Sequence, residues 1–233
     1  MFALTHYYIA KKAGFSDPYT IFGATILPDL AGVEAFGWQD LHGRFYNFKK
    51  FYKDTKDKKL LNLIIGNELH LITDNLSHHI NPSDYKGWAI KLSIPIAEKF
   101  NLTNQIAHNF IEIAVDIYVQ EDNPDIKKPF LNILEKIDYE YITQYLGKYF
   151  NKDEKIYSLA VKNFLAIFDY RKIENSEDYA DVTLDLLQKD SPNIDVKTIN
   201  NLITEAKDIV KDKYVEFLDR CISQTKKSAL KEL

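Results

Sequence analysis

Apolar residues recur three and four positions apart along almost the whole chain, and little interrupts them. Only eight glycines and seven prolines punctuate 233 residues. A 3.6-residue period marks helices that bury one face, whereas half-buried strands alternate every second residue. No run of short alternating segments with hairpin turns is found, so the chain reads as an all-α, compact multi-helix bundle. No segment is Ser/Gly-rich, so a single domain over residues 1–233 is expected. Its core would occupy 1–150. Additional C-terminal helices would occupy 151–233, where histidine is absent and Lys, Asp and Glu become more frequent.

Local signals place the elements. A short first helix carries His6. Ser16-Asp17-Pro18 is a helix start, because Ser or Asp can cap and Pro fits the first turn. That helix should stop near Leu27, before Pro28-Asp29. Residues 31–54 read as irregular. A long helix is expected over 56–79, carrying Leu60, Leu61, Ile64, Ile65, Leu69, Ile72 and Leu76 and ended by Asn81-Pro82. The next covers 86–100, with Pro95 as a kink or break. Thr103 caps a helix running to about Gln120. Further helices are expected near 126–136, 139–149, 153–171, 177–189 and 195–230.

Composition excludes several function classes. A net charge of −4 and a pI near 5.9 give no basic footprint for nucleic acid. The one cysteine, Cys221, cannot make an internal disulfide or a Cys-rich zinc ribbon. A bound metal would therefore be held by histidine and carboxylate. No stretch approaches the roughly 18 apolar residues of a membrane span. The start, Met1-Phe2-Ala3-Leu4-Thr5-His6, lacks a basic n-region and its apolar run breaks at His6, so a secretory signal is not expected. A reducing cytoplasm is the expected compartment.

The six histidines all fall within the first 108 residues: His6, His42, His70, His78, His79 and His108. In His70-Leu-Ile-Thr-Asp74-Asn-Leu-Ser-His78, steps of four advance a helix about 40° past a full turn, so His70, Asp74 and His78 line one stripe. His108, Glu112 and Asp116 line a second. The flanks of that second stripe are apolar nearly all round (Ile106, Phe110, Ile111, Ile113, Val115, Ile117), so its helix should be buried. A buried Glu and His need partners. One His-x-x-x-Asp pair is also what a helix-stabilising surface contact looks like. Two such stripes on buried, facing helices match how metal sites form in bundles, with ligand types suited to Zn²⁺, Mn²⁺ or Fe²⁺.

The chain resembles the zinc-dependent phospholipase C family, related in fold to the all-helical S1/P1-type nucleases. The residues that carry the resemblance are Thr5-His6-Tyr7, Gly23-Ala24-Thr25-Ile26-Leu27-Pro28-Asp29, His42, His70-x-x-x-Asp74-x-x-x-His78 and His108-x-x-x-Glu112, over roughly the first half. The resemblance implies two or three zinc ions at the bottom of a cleft. His42, His70 and Asp74 would serve the central ions, His78, His108 and Glu112 another, and His6 a third. Asp29 would stand beside the attacking water as the catalytic carboxylate. Secreted members of the family use a processed N-terminal tryptophan as a ligand. Here the chain reads Met1-Phe2-Ala3, so a third ion would need other groups. His79 stands where related sequences often show proline. It lies about 100° off the stripe and reads as a group that supports a ligand, a replacement ligand or, the favoured reading, a helix C-terminal histidine stabilised by the dipole.

The expected function is metal-dependent hydrolysis of a phosphodiester, with a small phosphoester or phospholipid as substrate. A non-catalytic helical protein with a structural metal site is the alternative. Gly37, Trp38, Phe45, Tyr46 and Phe48 around His42 would be cleft wall or simply core, and Arg44 a phosphate grip or a surface ion pair. Lys49 to Lys59 reads as a solvated charge run. The adjacent His-Asp pair of HD phosphohydrolases is absent. So is the Glu-x-x-His of di-iron bundles, since Glu68 and His70 are two apart.

Overall fold

The computed structural model describes residues 2–32, 56–79, 87–151, 153–167, 169–187 and 194–232. His42, with the aromatics and Arg44 around it, lies outside the described residues. Among the described residues there are eleven α-helices, one 3-10 helix and no strand, so the chain is all-α. The helices are α1 (Ala3–Lys12), α2 (Pro18–Thr25), α3 (Lys58–His78), α4 (Trp88–Phe100), α5 (Asn104–Asp122), α6 (Lys127–Leu134), α7 (Tyr139–Phe150), α8 (Glu154–Ile167), α9 (Ser176–Leu187), α10 (Val196–Val210) and α11 (Tyr214–Glu232). The 3-10 turn, Pro28–Gly32, follows α2.

The capping chemistry read from the sequence is in place. Asp17 accepts from the backbone N–H groups of Tyr19 and Thr20 at 2.9 and 3.2 Å, with Pro18 at the first helical position. Asp57 starts α3 in the same way, and Thr103 starts α5 by accepting from the N–H of Ile106 at 3.2 Å. Two expectations are corrected. Pro95 neither breaks nor ends α4, which runs through it. The amphipathic stretch expected as one helix over 195–230 is two helices, separated by a turn at 211–213.

α5 is the central element. Ala107, Phe110, Ile111, Ile113, Ala114 and Val115 are all sealed from solvent, and the polar stripe of His108, Glu112 and Asp116 that completes the circumference is buried as well. It packs against α1, α4 and α10. The C-terminal helix α11 packs on α1 and α3, and its Phe217 and Cys221 are buried. Trp88 of α4 stacks on Phe217 with ring centroids 4.2 Å apart.

α2 and α3 cross so closely that glycine is required at the crossing. A Cβ on Gly66 would lie 2.0 Å from the Thr20 carbonyl oxygen, and one on Gly23 would lie 2.2 Å from the Leu63 oxygen. Both obstacles are backbone, so neither can swing aside. This approach places the Ala24 carbonyl within reach of His70, one turn beyond Gly66. Elsewhere in a helix, alanine in place of glycine gains about 1 kcal/mol. Here overpacking by about 1–3 kcal/mol or more outweighs that gain. Gly66→Ala and Gly23→Ala are therefore expected to lower stability in denaturant titrations. A variant more stable than wild type would show that the helices do not approach this closely.

Candidate metal centre

Three helices and one turn deliver the ionisable side chains into the interior. α1 supplies His6; α3 supplies His70, Asp74 and His78; α5 supplies His108 and Glu112; the 3-10 turn supplies Asp29. They form two trios. In one, donor atoms of His6, His70 and Asp74 lie within 4.8 Å of one another; in the other, those of His78, His108 and Glu112 do so. The helical steps of four therefore meet across helices as well as along them.

In the first trio, the His70 Nε2 lies 3.1 Å from Asp74 Oδ2 and 3.7 Å from Asp29 Oδ1. His6 stacks on His70 with centroids 4.0 Å apart, and its Nε2 lies 3.5 Å from Asp74 Oδ1. The second trio is built around Glu112. Its Oε1 lies 2.7 Å from His78 Nε2 and accepts from the Ser77 hydroxyl at 2.7 Å. The His78 and His108 rings meet edge-on at 4.9 Å. Asp74 links the trios, since its Oδ2 is also 4.0 Å from His78 Nδ1. His6, which the resemblance assigns to a third ion, lies with His70 and Asp74 in one trio. His79 is exposed, ends α3 with its N–H on the Asn75 carbonyl, and belongs to neither trio.

Do these groups fit a cation? A carbonyl oxygen only accepts. The His70 Nδ1, 3.1 Å from the Ala24 oxygen, must therefore donate, as must His108 Nδ1, 3.2 Å from the Asn104 oxygen. Each ring then turns Nε2 inward, the arrangement by which metal-binding histidines are oriented. The His6 Nε2 is sealed from solvent and makes no hydrogen bond among the described residues. An imidazole nitrogen buried 3.5 Å from a carboxylate oxygen is satisfied by a shared proton or by a cation between them.

The electrostatics agree with that donor set. Burial, then the neighbouring His70, holds His6 well below the ordinary imidazole range, so it is neutral. Burial also lowers His108. Burial would lower His70, but the Asp74 and Asp29 carboxylates outweigh it and the net shift is upward. His78 is likewise raised, by Glu112 against its burial. Burial pushes the Asp74 and Glu112 carboxyls up, yet the surrounding positive charge holds both well below the usual carboxylate range. In a site that held a cation, the ion would take over that role. Asp29 differs from both: burial pushes its carboxyl up to about 6, while its side chain remains 25 % exposed.

Asp116, third on the α5 stripe, does not face either trio. Its Oδ1 accepts from the Thr5 N–H at 2.6 Å and the Thr5 hydroxyl at 2.7 Å; its Oδ2 accepts from Tyr179 at 2.7 Å and Tyr170 at 3.3 Å. Burial still raises its carboxyl above the ordinary range. Thr5, Ser77, Tyr170 and Tyr179 were not singled out as site residues from the sequence. Only Thr5 and Ser77 carry any sequence signal, each standing next to a candidate ligand.

No protein-family model, curated protein or solved structure matches the chain. No helix among the described residues is long and apolar enough to cross a membrane.

The ring assignments are directly measurable. In ¹⁵N-resolved histidine spectra of the metal-free chain, His70 and His108 are expected to carry a proton on Nδ1. A bare Nδ1 on either ring would show that it does not donate to the α2 or α5 carbonyl and that Nε2 is not the inward donor.

Proposed function

We propose that this chain is a metal-dependent phosphoric ester hydrolase, holding two or three divalent ions, with zinc the cation best matched by its donors. The observation that carries the reading is a pair of buried His/carboxylate trios joined through Asp74. Imidazole nitrogen and carboxylate oxygen, without thiolate, are the ligand set of hydrolytic zinc sites. The ordered residues that resemble zinc-dependent phospholipase C supply the reaction class, and His42 is retained as a ligand from that resemblance alone.

His6, His70 and Asp74 would hold one ion, and His78, His108 and Glu112 another. When bound, such ions lower the pKa of water from 15.7 toward about 7 and neutralise phosphoryl oxygens. The protein's own work is positioning. Ala24 and Asn104 fix the His70 and His108 rings, and Ser77 fixes Glu112. Asp29 orients the attacking water. Its side chain is 25 % exposed, against 9 % and 5 % for Asp74 and Glu112, so it is the site carboxylate that water reaches. The substrate is a small phosphoester or a phospholipid headgroup; a net charge of −4 argues against a polynucleotide.

One observation favours the second reading, a structural metal site without catalysis. The side chains of His6 and His70 are 1 % and 0 % exposed, as expected of a closed structural site. The two readings separate in one experiment. Protein purified without chelator is assayed for metal and for hydrolysis of a chromogenic phosphodiester. Two or three zinc ions per chain, with turnover abolished by chelation, are expected. His70→Ala and His108→Ala should lose metal and activity, and His79→Ala should keep both. Asp29→Asn should keep the metal and lose about 10²- to 10⁴-fold in turnover. Bound zinc without turnover on mono- or diesters would favour the structural site. Absence of transition metal would overturn both.

A further inference from the structure

α1 begins without a cap of its own. Its N-cap position is Phe2, whose side chain cannot accept a hydrogen bond, and the first helical bond runs from the His6 N–H to the Phe2 carbonyl at 3.3 Å. The N–H groups of the first turn must then find acceptors elsewhere. Two of them find acceptors on distant parts of the chain. The Ala3 N–H donates to the Tyr170 hydroxyl at 3.0 Å, and the Thr5 N–H donates to Asp116. Tyr170 and Tyr179 in turn donate to Asp116. All four side chains are buried, with Thr5 and Asp116 at 0 % exposure and Tyr170 and Tyr179 at 1 %.

We propose that Asp116 is the positioning residue for the His6 corner of the metal centre, capping α1 from α5, and that Tyr170 and Tyr179 tie this corner to the C-terminal half of the chain. The proposal rests on the reading of His6, His70 and Asp74 as metal ligands. Thr5 immediately precedes His6, so anchoring it through two bonds to one carboxylate oxygen fixes both the height and the rotation of α1 over His70. A single helix, α5, thereby sets the geometry of both trios. His108 and Glu112 act directly on one, and Asp116 acts on the other through Thr5. The C-terminal helices contribute no ligand, yet the loop before α9 and α9 itself supply the two hydroxyls that hold Asp116 in place. In Asp116→Asn only one oxygen remains to accept: an amide nitrogen on the Thr5 side would meet the Thr5 backbone N–H donor, and one on the other side would force the tyrosine hydroxyls to turn from donors to acceptors. In Thr5→Val the backbone N–H stays and the hydroxyl bond goes, with little change of shape; Thr5→Ser restores the hydroxyl.

The test is zinc binding to the full-length chain by chelator competition, with histidine ring NMR on the zinc-free protein. Asp116→Asn, Tyr179→Phe and Thr5→Val are expected to weaken one class of bound zinc, by about 10- to 100-fold for Asp116→Asn, as loss of groups that orient metal ligands does. The other class should be unchanged, and Thr5→Ser should bind like wild type. In the zinc-free variants the His6 ring signals should shift while those of His108 stay. Should Asp116→Asn fail to fold, Thr5→Val and Tyr179→Phe carry the test. Wild-type zinc affinity with unshifted His6 signals would overturn the positioning role alone. Equal weakening of both zinc classes would overturn it too, as a general loss of structure. A wild-type chain that binds no zinc would overturn the metal reading, and this role with it.

Discussion

Asp74 is 7 % exposed and Glu112 4 %, each on a largely buried polar stripe of its helix. An ionised carboxylate withdrawn that far from water costs several kcal/mol unless donors or positive charge surround it. Much of the interior answers this constraint. His70, His6 and His78 gather on Asp74; His78 and Ser77 converge on Glu112; Asp116 collects four donors from three segments. A purely apolar core would fold these helices as well or better. Six ionisable groups in two trios at its centre are what the proposed cation sites would require.

The glycine crossing of α2 on α3 serves the same end. Without the close approach at Gly23 and Gly66, the Ala24 carbonyl would stand too far from His70 to fix its tautomer. The backbone thus takes part in setting which nitrogen faces inward. The same crossing delivers Asp29, since the 3-10 turn follows directly from α2. Local helix packing, a tautomer and, among the described residues, the partly exposed Asp29 carboxylate are linked through a few residues of contiguous chain.

The sequence revealed what depends on one helix at a time. Steps of four put His70, Asp74 and His78 on one stripe, and the all-round apolar flanks of His108 and Glu112 showed that α5 is buried. What depends on two helices was not legible. The pairing of His6 with His70 is set by how α1 lies over α3, which no spacing encodes. Asp116 illustrates the limit: it belongs to the same stripe as Glu112, but one turn farther along α5 the neighbour is α1, so the carboxylate caps a helix. The turn at 211–213 was missed for a related reason. Lys211-Asp212-Lys213 contains neither Gly nor Pro, and the amphipathic pattern continues on both sides of it.

The gradient of exposure across the site bears on where chemistry can occur. His6 and His70 are sealed, while His78 and Asp29 retain 23 % and 25 % of their side-chain surface. A substrate phosphate cannot reach the inner rings without displacing packed helices, and interiors packed at crystal-like density do not yield cheaply. Under the proposed hydrolytic reading, a substrate would approach past His78 and Asp29, the two partly exposed groups. The inner trio would then act as a fixed charge that shapes the field at that edge, and the outer trio as the place where a phosphoryl oxygen lodges. Under that reading, the closed first trio would be compatible with hydrolysis at the open side of the site, where Asp29 lies 3.7 Å from the His70 Nε2. It also explains why Asp29, carried on a short turn beside the helices, is the site carboxylate left within reach of water.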